Sequence, residues 1–130
     1  MLINGVSVVE RGWAGHFICA DKCRFRRNTL LTYKDRKWVV STVGAMYVNL
    51  ELDTIGAYRY FETMAFWAKD DQYNDADVRR EIDIDGECGI YADSKEELFE
   101  KYPLPDLVAN EMHDRIVAEL IEKIRSEEVC

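Results

Sequence analysis

The sequence has little of what marks the common nucleotide-binding and hydrolytic enzymes. None of its seven glycines forms a loop that cradles phosphates, and no nucleophile elbow occurs. Its two histidines do not form an HExxH motif, which excludes the zinc proteases that carry it. No run approaches the roughly 18 apolar residues of a membrane-spanning helix. The absence of these motifs predicts a protein that is not an enzyme and has no membrane partner.

Length and composition indicate a folded protein. The chain has 130 residues, of which 48% are hydrophobic and 32% charged, a balance typical of globular proteins. We predict a single domain over residues 1–130. The first residues lack the basic start and apolar stretch of a signal peptide, so we expect a cytoplasmic protein. Because cysteines stay reduced in that compartment, we interpret them first as free thiols or metal ligands and only second as disulfides. The four cysteines are Cys19, Cys23, Cys88 and Cys130.

The net charge of −8 is distributed unevenly. Residues 1–48 hold eight Lys and Arg against three Asp and Glu, a net of +5. Residues 49–130 hold nine against twenty-two, a net of −13. Two interpretations are open. Either the folded protein has one basic face on an acidic body, or folding mixes the two halves and the split has no consequence.

The first two-thirds of the chain has the pattern of an antiparallel sheet. Apolar and polar residues alternate, β-branched residues are frequent, and turn residues separate the segments. We expect Gly44 to form a bulge. The predicted strands are Gly5–Glu10, His16–Cys19, Cys23–Asn28, Thr29–Tyr33, Lys37–Val48, Ala57–Lys69, Ala76–Ile84 and Ile90–Ala92.

The last third has the pattern of helices. Ser94 and Glu97 form a capping box ahead of an apolar pair. From Leu104 to Arg125 the apolar residues recur at helical spacing and form one stripe. We therefore predict the α+β class, with an antiparallel β-meander of five to seven strands packed against one long C-terminal helix.

The stretch GHFICADKCRFRRNT, residues 15–29, is dense in reactive side chains. His16, Cys19 and Cys23 offer three zinc ligands, and Cys88 could supply a fourth. The C-x3-C spacing and the lack of a second close pair weaken a zinc site. The alternative is that both cysteines are small buried hydrophobic residues. The sequence thus predicts no cofactor and leaves zinc as an alternative.

The same stretch suggests an anion-binding strand. Arg24, Arg26 and Asn28 share one face of it, and Arg27 lies on the other. With Arg59 from a later strand, these side chains could bind the phosphates of a nucleotide or oligonucleotide. Trp13, Tyr33 and Trp38 are candidates for stacking on a base. The alternative is a solvated strand face balanced by carboxylates.

Carboxylates are concentrated between residues 70 and 87 and on the C-terminal helix. Such a surface can imitate nucleic-acid phosphates and occupy a basic groove of a partner. The alternative is that it only keeps the protein soluble. The predicted partner-binding residues are Asp70, Asp71, Asp75, Asp77, Asp83, Asp85 and Glu87.

Two titratable residues lie inside predicted elements. Glu62 falls mid-strand beside Met64 and Phe66, which makes it either a carboxyl with a shifted pKa or a member of a core network with Arg59. His113 borders the apolar stripe of the helix, so we expect a half-buried packing residue rather than a catalytic base.

The run from Arg11 to Thr42, with Arg59–Phe66, resembles small uncharacterised proteins encoded by phages and prophages. No activity is established for that group, so no catalytic residue transfers. The resemblance implies a host-cell setting, in which short acidic proteins bind and block defence components such as CRISPR effector complexes or immune nucleases. Self-association is also expected, because tryptophans and a strand edge need cover.

Overall fold

The computed structural model describes residues 1–12, 15–16, 20–69 and 75–129. In this part of the chain, eight strands precede two helices. The strands are β1 (Leu2–Ile3), β2 (Val6–Arg11), β3 (Cys23–Tyr33), β4 (Arg36–Val48), β5 (Glu51–Asp53), β6 (Arg59–Ala68), β7 (Ala76–Ile82) and β8 (Gly89–Tyr91). The helices are α1 (Lys95–Lys101) and α2 (Pro105–Arg125), and a 3-10 turn spans Ala20–Lys22.

The predicted α+β architecture is confirmed. The strands form one antiparallel sheet in the order β1-β2-β3-β4-β6-β7, with β5 paired to β4 and β8 paired to β6. The count exceeds five to seven because β1 and β5 have three residues or fewer, too short for alternation to show in the sequence. The equally short β8 overlaps the strand predicted at Ile90–Ala92. β3 also continues through the predicted break at residue 28. The strand predicted at His16–Cys19 lies largely outside the described residues.

β4 is the central strand and is covered on both faces. Seven consecutive residues, from Trp38 to Gly44, are buried. Trp38 and Val40 belong to the main core beneath α2. Val39 and Val43 point to the opposite face, where each joins a smaller apolar cluster. Burial on both sides explains why this strand is a nearly continuous apolar run in the sequence.

The two helices begin where the sequence predicts. Ser94 caps α1, since its Oγ accepts a hydrogen bond from the Glu97 N–H at 3.1 Å. α2 begins at Pro105, whose missing N–H costs nothing in the first turn. Neither helix in the described ranges is long and apolar enough to cross a membrane.

α2 packs its apolar stripe on the sheet. The residues of the stripe that are buried there include Ala109, Met112, Ile116, Leu120, Ile121 and Ile124. Leu104 and Leu107 were predicted to belong to it, but they are 66% and 53% exposed. The reason is that this end of the helix borders an open cavity rather than the sheet.

Gly44 does not form the predicted bulge. It pairs with Phe25 on β3 and Phe61 on β6 in an uninterrupted register. A Cβ atom at this position would lie 2.3 Å from the Phe61 ring and 2.6 Å from the carbonyl oxygen of Tyr60. Glycine is required here because the Phe61 ring packs directly on the backbone of β4.

We expect Gly44→Ala to lower the free energy of unfolding by about 1–3 kcal/mol, because the added methyl overpacks the core. Urea denaturation measures the effect. Gly12→Ala is the matched control, since a Cβ there meets no atom within 4 Å, and a change of less than about 0.5 kcal/mol is expected. Equal stability of the two variants would contradict this account of Gly44.

Candidate functional site

The connection between β7 and β8 lies against the C-terminal half of α2. The Asp85 N–H donates to the Glu119 carboxylate at 2.9 Å. Lys123 Nζ lies 3.3 Å from an Asp85 carboxylate oxygen and 3.6 Å from one of Glu128. Hydrogen bonding to Asp85 raises the pKa of Lys123, so this ammonium group stays charged. A single lysine thus holds carboxylates from two distant segments together.

These contacts create one surface with a strong negative charge, which we call the acidic surface. Its carboxylates come from the β7–β8 connection and from α2 with the residues that follow it. Lys123 and Arg115 are the cations among them, and Arg115 donates to the Glu87 carbonyl oxygen. The carboxylates are Asp83, Asp85, Glu87, Glu119, Glu122 and Glu128, all exposed except the half-buried Glu119.

The acidic surface contains part of the predicted partner-binding set. Asp83, Asp85 and Glu87 belong to it. Asp75 and Asp77 do not, because each pairs with an arginine elsewhere, Arg11 and Arg79 respectively, at 3.6 Å. Asp70 and Asp71 lie outside the described residues. For α2 the sequence predicts only that carboxylates are concentrated on the helix. Its local pattern does not show which loop packs against them.

The predicted anion-binding arginines do not converge. Arg27 lies between Glu10 and Asp114, with Nη1 2.8 Å from the Asp114 carboxylate. Although burial lowers the pKa of Arg27, these two carboxylates raise it by more. Arg59 is paired with Glu62. Arg24 and Arg26 are exposed, and the Arg24 guanidinium lies 3.9 Å from the centre of the Tyr47 ring.

The remaining side chains proposed for nucleotide binding are also dispersed. Asn28 is buried in β3, and Trp38 is fully buried in the core, so neither can contact a base. Tyr33 is half-buried and is contacted by Arg125. Trp13 lies outside the described residues. The side chains that the sequence suggested for nucleotide binding therefore occupy several separate places in the described part of the fold.

The proposed zinc ligands have other contacts. His16 Nε2 donates to Glu62 at 2.9 Å, and its Nδ1 is 2.9 Å from Ser41 Oγ. Cys23 is buried in a small apolar cluster. Burial raises the pKa of the Cys88 thiol, whose Sγ donates to the Gly86 carbonyl oxygen at 3.3 Å. In the described part of the chain no three His, Cys, Asp or Glu residues form a group that could hold a metal ion, and Cys19 is outside it.

The Glu62 network is larger than the sequence indicates. Its carboxylate accepts from His16 on one oxygen and from Arg59 on the other. Burial raises the pKa of Glu62, and His16 and Arg59 lower it by more, so the net shift is downward. Ser41, His16 and Glu62 are the residue types of a hydrolytic triad, but Ser41 is fully buried mid-strand and its oxygen cannot reach a substrate.

His113 is fully buried, not half-buried as predicted. Thr29 Oγ1 and Thr42 Oγ1 lie 2.7 Å from its Nε2 and Nδ1 respectively. Thr42 is in turn 2.6 Å from Thr63 Oγ1, and Thr29 is hydrogen-bonded to the Glu10 carboxylate. Burial, followed in size by the Arg27 charge, lowers the pKa of His113 to about 3.

The Glu10 carboxylate, at one end of this series of hydrogen bonds, determines which group donates at each step. Glu10 can only accept, so the Thr29 hydroxyl donates to it and accepts from His113 Nε2–H. The neutral imidazole then accepts from Thr42 at Nδ1, and Thr63 donates to Thr42. Each hydroxyl and ring nitrogen is satisfied in this arrangement. Local sequence pattern could not reveal this network, because His113 is 71 residues from Thr42.

Comparison with protein families, with curated proteins and with solved structures gave no match.

The buried His113 predicts a specific pH dependence of stability. Its pKa of about 3 in the folded protein lies below the ordinary value of 6.5, so the unfolded chain binds the extra proton first. The stability that the neutral imidazole contributes is therefore present above pH 6.5 and lost as pH falls toward 3, by at most roughly 1.4 kcal/mol per pH unit.

His113→Gln separates this effect from the titration of carboxylates, which both proteins share. At pH 7 the variant should be less stable by about 1–3 kcal/mol, because Thr29 and Thr42 lose a fitted partner. Urea unfolding between pH 7 and pH 4 should show that difference shrinking. Parallel stability curves for the two proteins would show that His113 does not titrate in this way.

Proposed function

We propose that this chain is a non-enzymatic inhibitor that binds a host defence component through its acidic surface. The observation that supports it is the meeting of the β7–β8 connection with α2, which places six carboxylates around two cations. A surface of one sign attracts the opposite sign and accelerates association. Its expected partner is a protein with a basic groove.

The support beneath the acidic surface suits a binding role. α2 is anchored through its buried apolar stripe and through His113. The carboxylates on its outer side are therefore held by a fixed helix rather than by a mobile loop. Because their backbone is already ordered before binding, less conformational entropy is lost than for a flexible acidic tail.

A basic groove that binds nucleic acid is the partner we favour. Such grooves present Lys and Arg side chains to phosphates, and closely spaced carboxylates can occupy the same positions. CRISPR effector complexes and immune nucleases have grooves of this kind. The resemblance of Arg11–Thr42 to small phage-encoded proteins supplies the setting in which such an inhibitor would act. The proposed location is the cytoplasm of the host cell.

Charge reversal tests the proposal. Asp83→Lys combined with Glu122→Lys should weaken binding to the target at least about tenfold, mainly through slower association. Biolayer interferometry against a panel of purified CRISPR effectors and immune nucleases, at two salt concentrations, measures the association rate and its dependence on ionic strength. Both side chains are exposed, so the fold should be unaffected.

Glu96→Lys combined with Glu100→Lys is the matched control. It makes the same change in net charge on α1, away from the acidic surface. Binding within about twofold of the parent protein is expected for this control. Equal binding by both double variants would refute the role of the acidic surface, and no binding to any panel member would refute the defence target.

A further inference from the structure

A cavity of about 510 Å³ opens where α1 and α2 meet the sheet. Its walls are mostly apolar, and its volume falls in the range of small-molecule sites. The apolar residues that line it include Tyr47, Leu52, Phe61, Leu98, Phe99, Leu104 and Leu107. The cavity is separate from the acidic surface, with which it shares no lining residue.

The rim of this cavity carries large apolar side chains that the fold does not cover. Phe99, Leu104 and Leu107 are all about half exposed or more. Single exposed leucines are common, but a group of large apolar residues around a concavity marks a place where something apolar binds. Leu104 and Leu107 lie at the start of α2, and the apolar stripe of the helix is therefore exposed at this end.

Arg24 is the cation of this cavity. Its guanidinium stacks on Tyr47 at 3.9 Å from the ring centre. Stacking uses the flat face of the guanidinium and leaves its in-plane N–H donors available for a carboxylate. Unlike Arg27 and Arg59, Arg24 has no carboxylate at ion-pair distance among the residues the structure describes.

The other charged residue in the lining is Asp106. It lies in the first turn of α2, where the positive end of the helix dipole stabilises a carboxylate. Its charge is therefore partly compensated by its own helix. Arg24 comes from the opposite wall, on β3, and has no such compensation within the described residues.

We propose that this cavity binds an amphipathic monoanion of the fatty-acid class. The alkyl chain would lie against Leu104, Leu107 and the aromatic wall, and the carboxylate would accept hydrogen bonds from Arg24. An apolar pocket with one cation at its edge is complementary to a ligand that has an apolar body and one anionic end. This site is independent of the proposed inhibitor function and can be tested without a partner protein.

Isothermal titration calorimetry with decanoate, below the concentration at which it forms micelles, tests the proposal. Saturable binding at one site per chain is expected. Arg24→Ala should weaken it about tenfold or more, because a hydrogen bond to a charged group is lost. Leu104→Asn, at a largely exposed position, should weaken it several-fold by removing apolar contact.

Arg26→Ala is the matched control, since Arg26 is an exposed arginine on the same strand that does not line the cavity. Its affinity for decanoate should equal that of the parent protein. Decylammonium, which has the same chain with a positive end, should bind at least tenfold more weakly than decanoate. The Asp83→Lys, Glu122→Lys double variant should bind decanoate normally, which separates this site from the acidic surface.

Three results would overturn the proposal. The first is no heat of binding from decanoate. The second is equal affinity in Arg24→Ala and Arg26→Ala, which would show that Arg24 does not hold the carboxylate. The third is equal binding of decylammonium, which would mean that the cavity recognises only an alkyl chain.

Discussion

The hydrogen bonds of His113 hold the long helix and the sheet in one arrangement. The imidazole is fully buried between Thr29 on β3 and Thr42 on β4. If either strand slipped by one residue, its threonine would move to the opposite face of the sheet. If α2 shifted, a polar ring would be left buried without partners, which is costly. The apolar stripe supplies most of the attraction, and His113 selects which packing is allowed.

The acidic surface depends on that arrangement, because the outer side of α2 supplies part of it and holds the β7–β8 connection in place. The folded structure also shows how the uneven charge of the chain is distributed in space. Folding does mix the two halves where Arg27 meets Asp114 and where Arg11 meets Asp75. Part of the excess of carboxylates is left on α2 and the β7–β8 connection, where carboxylates contact Lys123 on both sides.

Local sequence pattern was sufficient to predict the helices and strands, but it was insufficient to predict which side chains meet in the folded protein. The β-branched run of β4, the Ser94 cap and the stripe of α2 are set by neighbouring residues, so the sequence predicts them. Alternation assigns Arg24 and Arg27 to opposite faces, but in the structure both lie on the α2 side, since Arg27 pairs with Asp114 and Arg24 lines the cavity at the start of α2. Local pattern cannot show that Arg27 contacts α2, because its partner there, Asn110, is 83 positions away along the chain. The contact between His16 and Glu62 could not be predicted for the same reason, since 46 positions separate the two residues.

The proposed cavity and the acidic surface lie at opposite ends of α2. With 21 residues the helix is about 30 Å long, and charges are screened beyond about 8 Å at physiological salt. The carboxylates at its C-terminal end therefore do not cancel the field of Arg24 near its N-terminal end. One rigid element can then carry an acidic surface and an anion-binding cavity together. Any coupling between them would have to pass through the position of α2 itself, which the His113 contacts resist.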